Sequence, residues 1–412
     1  MEPQTILYII IGITVLTYVF EQVLDLLNLK ARRADLPDEV AAFYDRNKYL
    51  RSLDYHRDLT RFSFLTSALS VIASLAMLWL GGFGWIDNAL KPHIDPTIPR
   101  ALAFFGVLML GSDILTTPFQ LYRTFVIEER YGFNKTTLRT FFADKLKGYL
   151  LGALIGGALL SLLIYLMILL GQDFWIWFAI IASVFVLFVN MFYTSLILPL
   201  FNKLTPLPDG ELKEQIEVFS EKVDFPLDNI FVIDGSRRSS KANAFFSGIG
   251  RKKKIILYDT LISNHTTEEL VAVLAHEVGH FKKKHIVQSY VIAVVQIVFT
   301  LFILSRMVFS ENVSLALGGD QLSIPLNLIA FGILFSPISG ITGLLMSMLS
   351  RKNEYEADAY ARATLSGTAL ATALKKLSVD SLSNLYPHPL YVFFYYSHPP
   401  LLERLKALSA PS

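Results

Sequence analysis

Two histidines four residues apart, with a glutamate directly after the first, make up the segment His276-Glu277-Val278-Gly279-His280. A four-residue step returns to the same face of a helix, so both imidazoles can bind one ion. Glu277, next to the first ligand, is placed to take a proton from water activated by that ion. Zinc used in this way takes a third protein ligand and keeps a position for water. The chain has no cysteine, so thiolate ligands, a thiolate nucleophile and disulfides are excluded, and the third ligand must be a carboxylate or another histidine. The segment SRKNEYEADAYARA offers Glu354 and Asp358, again four apart. Glu354 can complete a His-His-Glu set, and Asp358 can hold one ligand imidazole by its free N–H. Glu356 competes for the ligand role, but at about 100° of rotation per residue it cannot share their face. The plainer alternative is a solvated acidic face near Arg351 and Lys352.

These residues need elements to hold them. Thr266-Thr267-Glu268-Glu269 before the apolar run 270–274 reads as a capping box, starting a helix about ten residues before the motif. Beyond the motif the chain turns apolar enough to cross a bilayer. The whole sequence is 53% hydrophobic and 17% charged, with a mean hydropathy of +0.46, which excludes an ordinary soluble protein. Seven segments have the length and composition to span the hydrocarbon core: 5–28, 63–84, 100–120, 148–171, 174–201, 286–308 and 325–350. The first lacks a basic leader and a small-residue cleavage site, so it is expected to be retained.

Lysines and arginines crowd the loops after the first span (Lys30 to Arg61) and after the third (Arg123 to Lys147), and they are sparse in the alternate loops. The positive-inside rule then puts the N-terminus outside, and the motif and C-terminal tail inside. All four tryptophans, Trp79, Trp85, Trp175 and Trp177, fall at the outer interface. Topology accounts for the basic clusters, and a net charge of +2 leaves no footprint of a nucleic-acid partner. The expected organisation is an N-terminal membrane domain over 1–201 and a second domain over 202–412 that carries the metal motif. The second contains a soluble insert (202–285), two further spans and a tail (351–412).

Polar residues recur at helical spacing inside the spans: Asp113, Thr116, Thr117 and Gln120, then Asn190 and Thr194, then Gln288 and Gln296. They face other helices or a water-filled cavity, since lipid satisfies neither donors nor acceptors. Gly152 and Gly156 form a small-xxx-small pair that suggests close helix packing. NAFFSGIGRKKKIILYD reads as a hairpin, with Gly248 and Gly250 in its turn.

HEVGH with EYEAD downstream, FVIEERYGFN before the fourth span, NAFFSG before the motif and YSHPPLLERL near the end together resemble the type I CAAX prenyl endopeptidases. These are integral-membrane zinc proteases, also called the Ste-twenty-four family. The resemblance covers nearly the whole chain. It implies a mainly α, polytopic fold of seven transmembrane helices enclosing a chamber, with a small α+β zincin-like domain on the cytosolic side. It implies one zinc ion per chain held by His276, His280 and Glu354, with Glu277 as general base and Asp358 as orienting carboxylate. His398 resembles the histidine that steadies the oxyanion, Arg404 the arginine beside the site, and Asn243 and Ala244 residues that pair with substrate backbone. His265, His285 and His388 are expected to be structural or solvated.

The implied activity is hydrolysis of peptide bonds by zinc-activated water in C-terminal processing of prenylated proteins or peptides. The implied setting is a multi-pass location in the endoplasmic reticulum or a bacterial inner membrane, in contact with membrane lipid. No retrieval signal is visible in the tail KALSAPS, which leans towards a compact, bacterial-type member. Two other readings compete: a quality-control zinc protease for membrane proteins, and a transporter or scaffold with a structural metal. Glu277 separates the last from a protease, because a structural site does not need it.

Overall fold

The computed structural model describes residues 1–225, 229–247 and 254–410. The N-terminal half is helical: α1 (Pro3–Lys30), α2 (Asp38–Ala41), α3 (Arg46–Trp79), α4 (Gly82–Leu90), α5 (Thr97–Tyr122), α6 (Leu138–Leu151), α7 (Gly157–Leu170), α8 (Phe174–Phe192) and α9 (Leu198–Phe201). Among the described residues, six helical runs are long and apolar enough to cross a membrane. One of them, Leu138–Phe201, has 64 residues, which at 1.5 Å per residue is about three bilayer cores end to end. It therefore folds back on itself. Gly171 breaks it with φ +56, a conformation open to glycine, and α7 packs against α8. The fourth and fifth expected spans are the two arms of this run.

The C-terminal half interleaves strands and helices: β1 (Leu204–Pro206), α10 (Glu211–Lys222), β2 (Asn229–Ile233), β3 (Ala244–Ser247), β4 (Lys254–Tyr258), α11 (Asp259–Asn264), α12 (Thr267–Lys282), α13 (His285–Met307), α14 (Glu311–Ala316), α15 (Ile324–Thr364), α16 (Gly367–Asp380), α17 (Pro389–Tyr395) and α18 (Leu401–Ser409). The sheet order is β1-β2-β4-β3, with β2 and β4 parallel and the outer pairs antiparallel. The expected hairpin is present as β3 against β4; its turn, with Gly248 and Gly250, lies outside the described residues.

The long helices neighbour one another in a closed ring: α1, α3, the π-helical end of α5, α5, α7, α8, α13, α15 and back to α1. A helix packed along one face buries roughly a third of its residues, whereas here only 6–17% of each apolar window is buried. The ring is therefore hollow. Two apolar clusters plug one end, one around Ile10, Leu78, Phe104, Leu317 and Leu326, the other around Met167, Phe174, Leu304 and Val308. At that end the chain is tightly latched, since a Cβ on Gly84 would lie 2.0 Å from the Gly318 carbonyl. Gly152 and Gly156 stand in open space within a π-helical turn and mediate no close packing. The polar row of the third span is satisfied both within its own helix and across to α6. Lys145 of α6 lies 2.8 Å from Asp113 of α5 and also meets Thr117, while Tyr149 donates to Asp113.

At the other end, α12 forms the centre of a core that includes Ile216, Phe219, Ile255, Leu257, Leu274, Val278 and Leu370. Residues from the insert and from the C-terminal tail thus share one core. The helix that carries the last expected span does not stop near residue 350 but continues as one 41-residue helix, α15, into that core.

Backbone atoms cannot yield cheaply where Gly84 meets Gly318. Gly84→Ala is expected to cost about 1–3 kcal/mol and to lower the Tm of detergent-purified protein in calorimetry. Gly12→Ala, whose methyl meets nothing within 4 Å, is expected not to lower it.

Candidate active site

The capping box at the start of α12 forms as expected: Thr266 Oγ1 accepts from the Glu269 N–H and the Glu269 carboxylate accepts from the Thr266 N–H. Lys376 of α16 binds the same carboxylate at 2.8 Å, tying the helix start to the tail. About three turns later α12 crosses α15 at Gly279. A Cβ there would stand 3.0 Å from the Ala357 Cα and 3.1 Å from Tyr360 Cβ, so the glycine sets the spacing of the two helices. Ala357 is fully buried at the crossing.

That spacing brings three donors together. His276 Nε2 and His280 Nε2 are 3.2 Å apart, and Glu354 oxygens lie 3.4 Å from the first and 3.2 Å from the second. Donors about 2.0–2.1 Å from a tetrahedral ion stand about 3.3 Å from each other, so the three residues fit a metal of that kind. Glu354 Oε2 is buried and accepts no hydrogen bond; it is left with the ion-pair approach of Arg404 Nη1 at 3.3 Å, so it has a lone pair to offer an ion.

Each imidazole is turned by a partner on its other nitrogen. Asp358 Oδ1 is 2.8 Å from His276 Nδ1. His280 Nδ1 is 3.0 Å from His285 Nδ1, and His285 Nε2 is 3.2 Å from Glu356. Glu356 is therefore not a ligand, and His285 is more than a structural residue; together they orient His280. The sequence hides this relay, because His285 starts a new helix after Lys284 turns the chain at φ 60. Its one visible trace is a histidine within two residues of a helix boundary and five from a ligand.

Arg404 is buried and bonds both Asp358 oxygens, from Nε at 2.9 Å and Nη2 at 2.6 Å, while Nη1 reaches 3.3 Å from Glu354. It fixes the carboxylates and does not face solvent. His398 differs: its side chain is 63% exposed, with Nε2 3.3 Å from Glu354 and Nδ1 2.9 Å from Ser397 Oγ. Glu277 is partly buried, and its carboxyl makes no hydrogen bond or ion pair to another described residue. Burial pushes its pKa up, against the pull of His276 and His280. Ala244 begins β3 and Asn243 directly precedes it; β3 is an edge strand, which pairs only with β4 among the described residues.

Fold and site together define a membrane-embedded metalloendopeptidase. The family model for CAAX prenyl protease N-terminal, five membrane helices, matches residues 25–203, and that for peptidase family M48 matches 206–412. The chain is 36% identical to an Arabidopsis thaliana CAAX prenyl protease 1 homolog, over 97% of this chain and 96% of the relative. It is 34% identical to the Saccharomyces cerevisiae CAAX prenyl protease 1, over 97% and 94%. The crystal structure of S. mikatae Ste24p superposes with a TM-score of 0.93 at 32% identity, covering 98% of this chain and 99% of that one. The chain belongs to the M48 family of CAAX prenyl proteases.

Two measurements check the geometry. Gly279→Ala separates α12 from α15 by a few tenths of an ångström or more, so metal affinity is expected to fall about tenfold or further, read by competition with a chelator. Burial opposes a charge on His276, but Asp358 and Glu354 outweigh it and raise its pKa to about 9. In the metal-free protein this imidazole is therefore protonated at pH 7 and loses its proton only as pH rises through about 9. Loading the metal at pH 7 should release about one proton, and clearly fewer well above pH 9, by calorimetry in buffers of different ionisation enthalpy.

Proposed function

We propose that this chain is a zinc-dependent endopeptidase that cleaves near the C-terminus of prenylated CAAX-type proteins or peptides, with its site on the cytosolic side and its N-terminus outside. The observation that carries the reading is the His276–His280–Glu354 set with an unpartnered Glu277 beside it. A structural metal site has no use for a free, partly buried carboxylate. The basic inner loops support the orientation, and the names of the relatives support the substrate class. A division near residue 202 is supported by the core that insert and tail share.

His276, His280 and Glu354 would hold the ion, which supplies Lewis acidity that makes water nucleophilic near neutral pH. Glu277 accepts the proton of the attacking water and passes it to the leaving amine. Burial raises its pKa, which makes it a stronger base for the first step than an exposed carboxylate. His398, at the open rim of the site, donates a hydrogen bond to the oxygen on which charge develops. Arg404 and Asp358 are positioning residues: they hold His276 and Glu354 in place. The free edge of β3, from Asn243 and Ala244, accepts the substrate backbone as an added strand. The hollow ring of helices lets a lipid-bearing chain reach water at membrane depth.

Glu277→Gln is expected to abolish cleavage of a farnesylated CAAX peptide while the protein keeps its zinc; unchanged activity would mean a different base. His398→Ala should lower kcat about 10²–10³-fold with KM little changed, in steady-state assays of detergent-purified protein.

A further inference from the structure

Behind His280, on the side of its His285 partner, a cavity of about 430 Å³ opens between the cytosolic ends of α13 and α15. Its lining includes two buried polar residues, His285 and Asn353. Lys283, Lys284 and Lys352 also line it, and Glu356 is the only acid there, 3.7 Å from Lys352. The first turn of α13 holds no acidic residue, so its free N–H groups add to the positive field. Topology accounts for lysines at a cytosolic membrane boundary, but not for their convergence on a cavity with a polar floor.

Two exposed apolar rows lead away from it into the spans. On α13 they are Val287, Val291 and Val295; on α15 they are Met348, Leu345 and Ile341. A basic cavity that continues as two apolar strips has the shape and polarity of an anionic amphiphile.

We propose that this cavity binds the phosphate headgroup of an anionic phospholipid, with its acyl chains along the two strips. A phosphate beside Lys352 draws that lysine from Glu356, leaving the carboxylate to His285 and so steadying the orientation of His280. Lipid occupancy thereby supports the metal site from behind.

The test uses full-length, zinc-loaded protein in nanodiscs of phosphatidylcholine, alone or mixed with phosphatidylglycerol. Bound lipid is counted by native mass spectrometry after release into detergent. Wild type is expected to retain phosphatidylglycerol over phosphatidylcholine, and each of Lys283→Gln and Lys352→Gln to weaken that retention roughly fivefold. Lys30→Gln, a basic residue of another inner loop, is expected to keep it. Cleavage of a prenylated peptide should be faster in the mixed discs, and the ratio should approach one in the double lysine variant.

Equal retention by wild type and the double variant overturns the proposal. Millimolar inorganic phosphate that gives the same stimulation in pure phosphatidylcholine overturns the lipid assignment in favour of free phosphate. Since retention is read without catalysis, it stands or falls independently of the peptidase reading.

Discussion

Gly279 lets α12 and α15 approach until the Ala357 backbone lies against the bare Cα, and most of the site follows from that contact. Two ligands lie on one helix and the third on the other, so the crossing distance is also the ligand spacing. Both helices are extensions of the membrane ring. α15 runs unbroken from its apolar half to Glu354, and α12 joins α13 through a turn at Lys283 and Lys284. Movement of the spans is therefore transmitted to the metal ligands without an intervening flexible linker.

Electrostatics supplies the second constraint. Glu277, Glu354 and Asp358 gather around a single buried guanidinium, that of Arg404. Buried charge is costly unless paired, and three carboxylates against one guanidinium leave two negative charges. A divalent ion held by the imidazoles and Glu354 would neutralise them. Without it, a proton on His276 offsets one of the two. The pairing also sorts the residues by role: Arg404 and Asp358 are enclosed, whereas His398 faces the open side.

The i, i+4 step made Glu354 and Asp358 only candidates beside the reading of a solvated acidic face, and the family resemblance chose between the two. Spacing made His276, Glu277 and His280 legible in the sequence, because periodicity on one helix is a local property. The long apolar runs were legible for the same reason. What depended on contacts between distant segments was not. Arg404 reads only as a residue beside the site until its two bonds to Asp358 are seen, across 46 residues of chain. The relay from Glu356 through His285 depends on a left-handed turn at Lys284, a residue type that gives no warning of it. Similarly, the end of the last expected span looked like a boundary at Arg351 because hydropathy drops there, although the backbone helix continues to Thr364. Polarity reports the change of solvent; it does not report the end of a helix.

Anomalous diffraction from crystals at the zinc edge tests the central claim most directly. A single site is predicted, within about 2.0–2.2 Å of His276 Nε2, His280 Nε2 and a Glu354 oxygen, with Glu356 and His285 outside bonding range. A peak ligated by Glu356 or His285, or none between α12 and α15 in protein that holds zinc, would contradict the account.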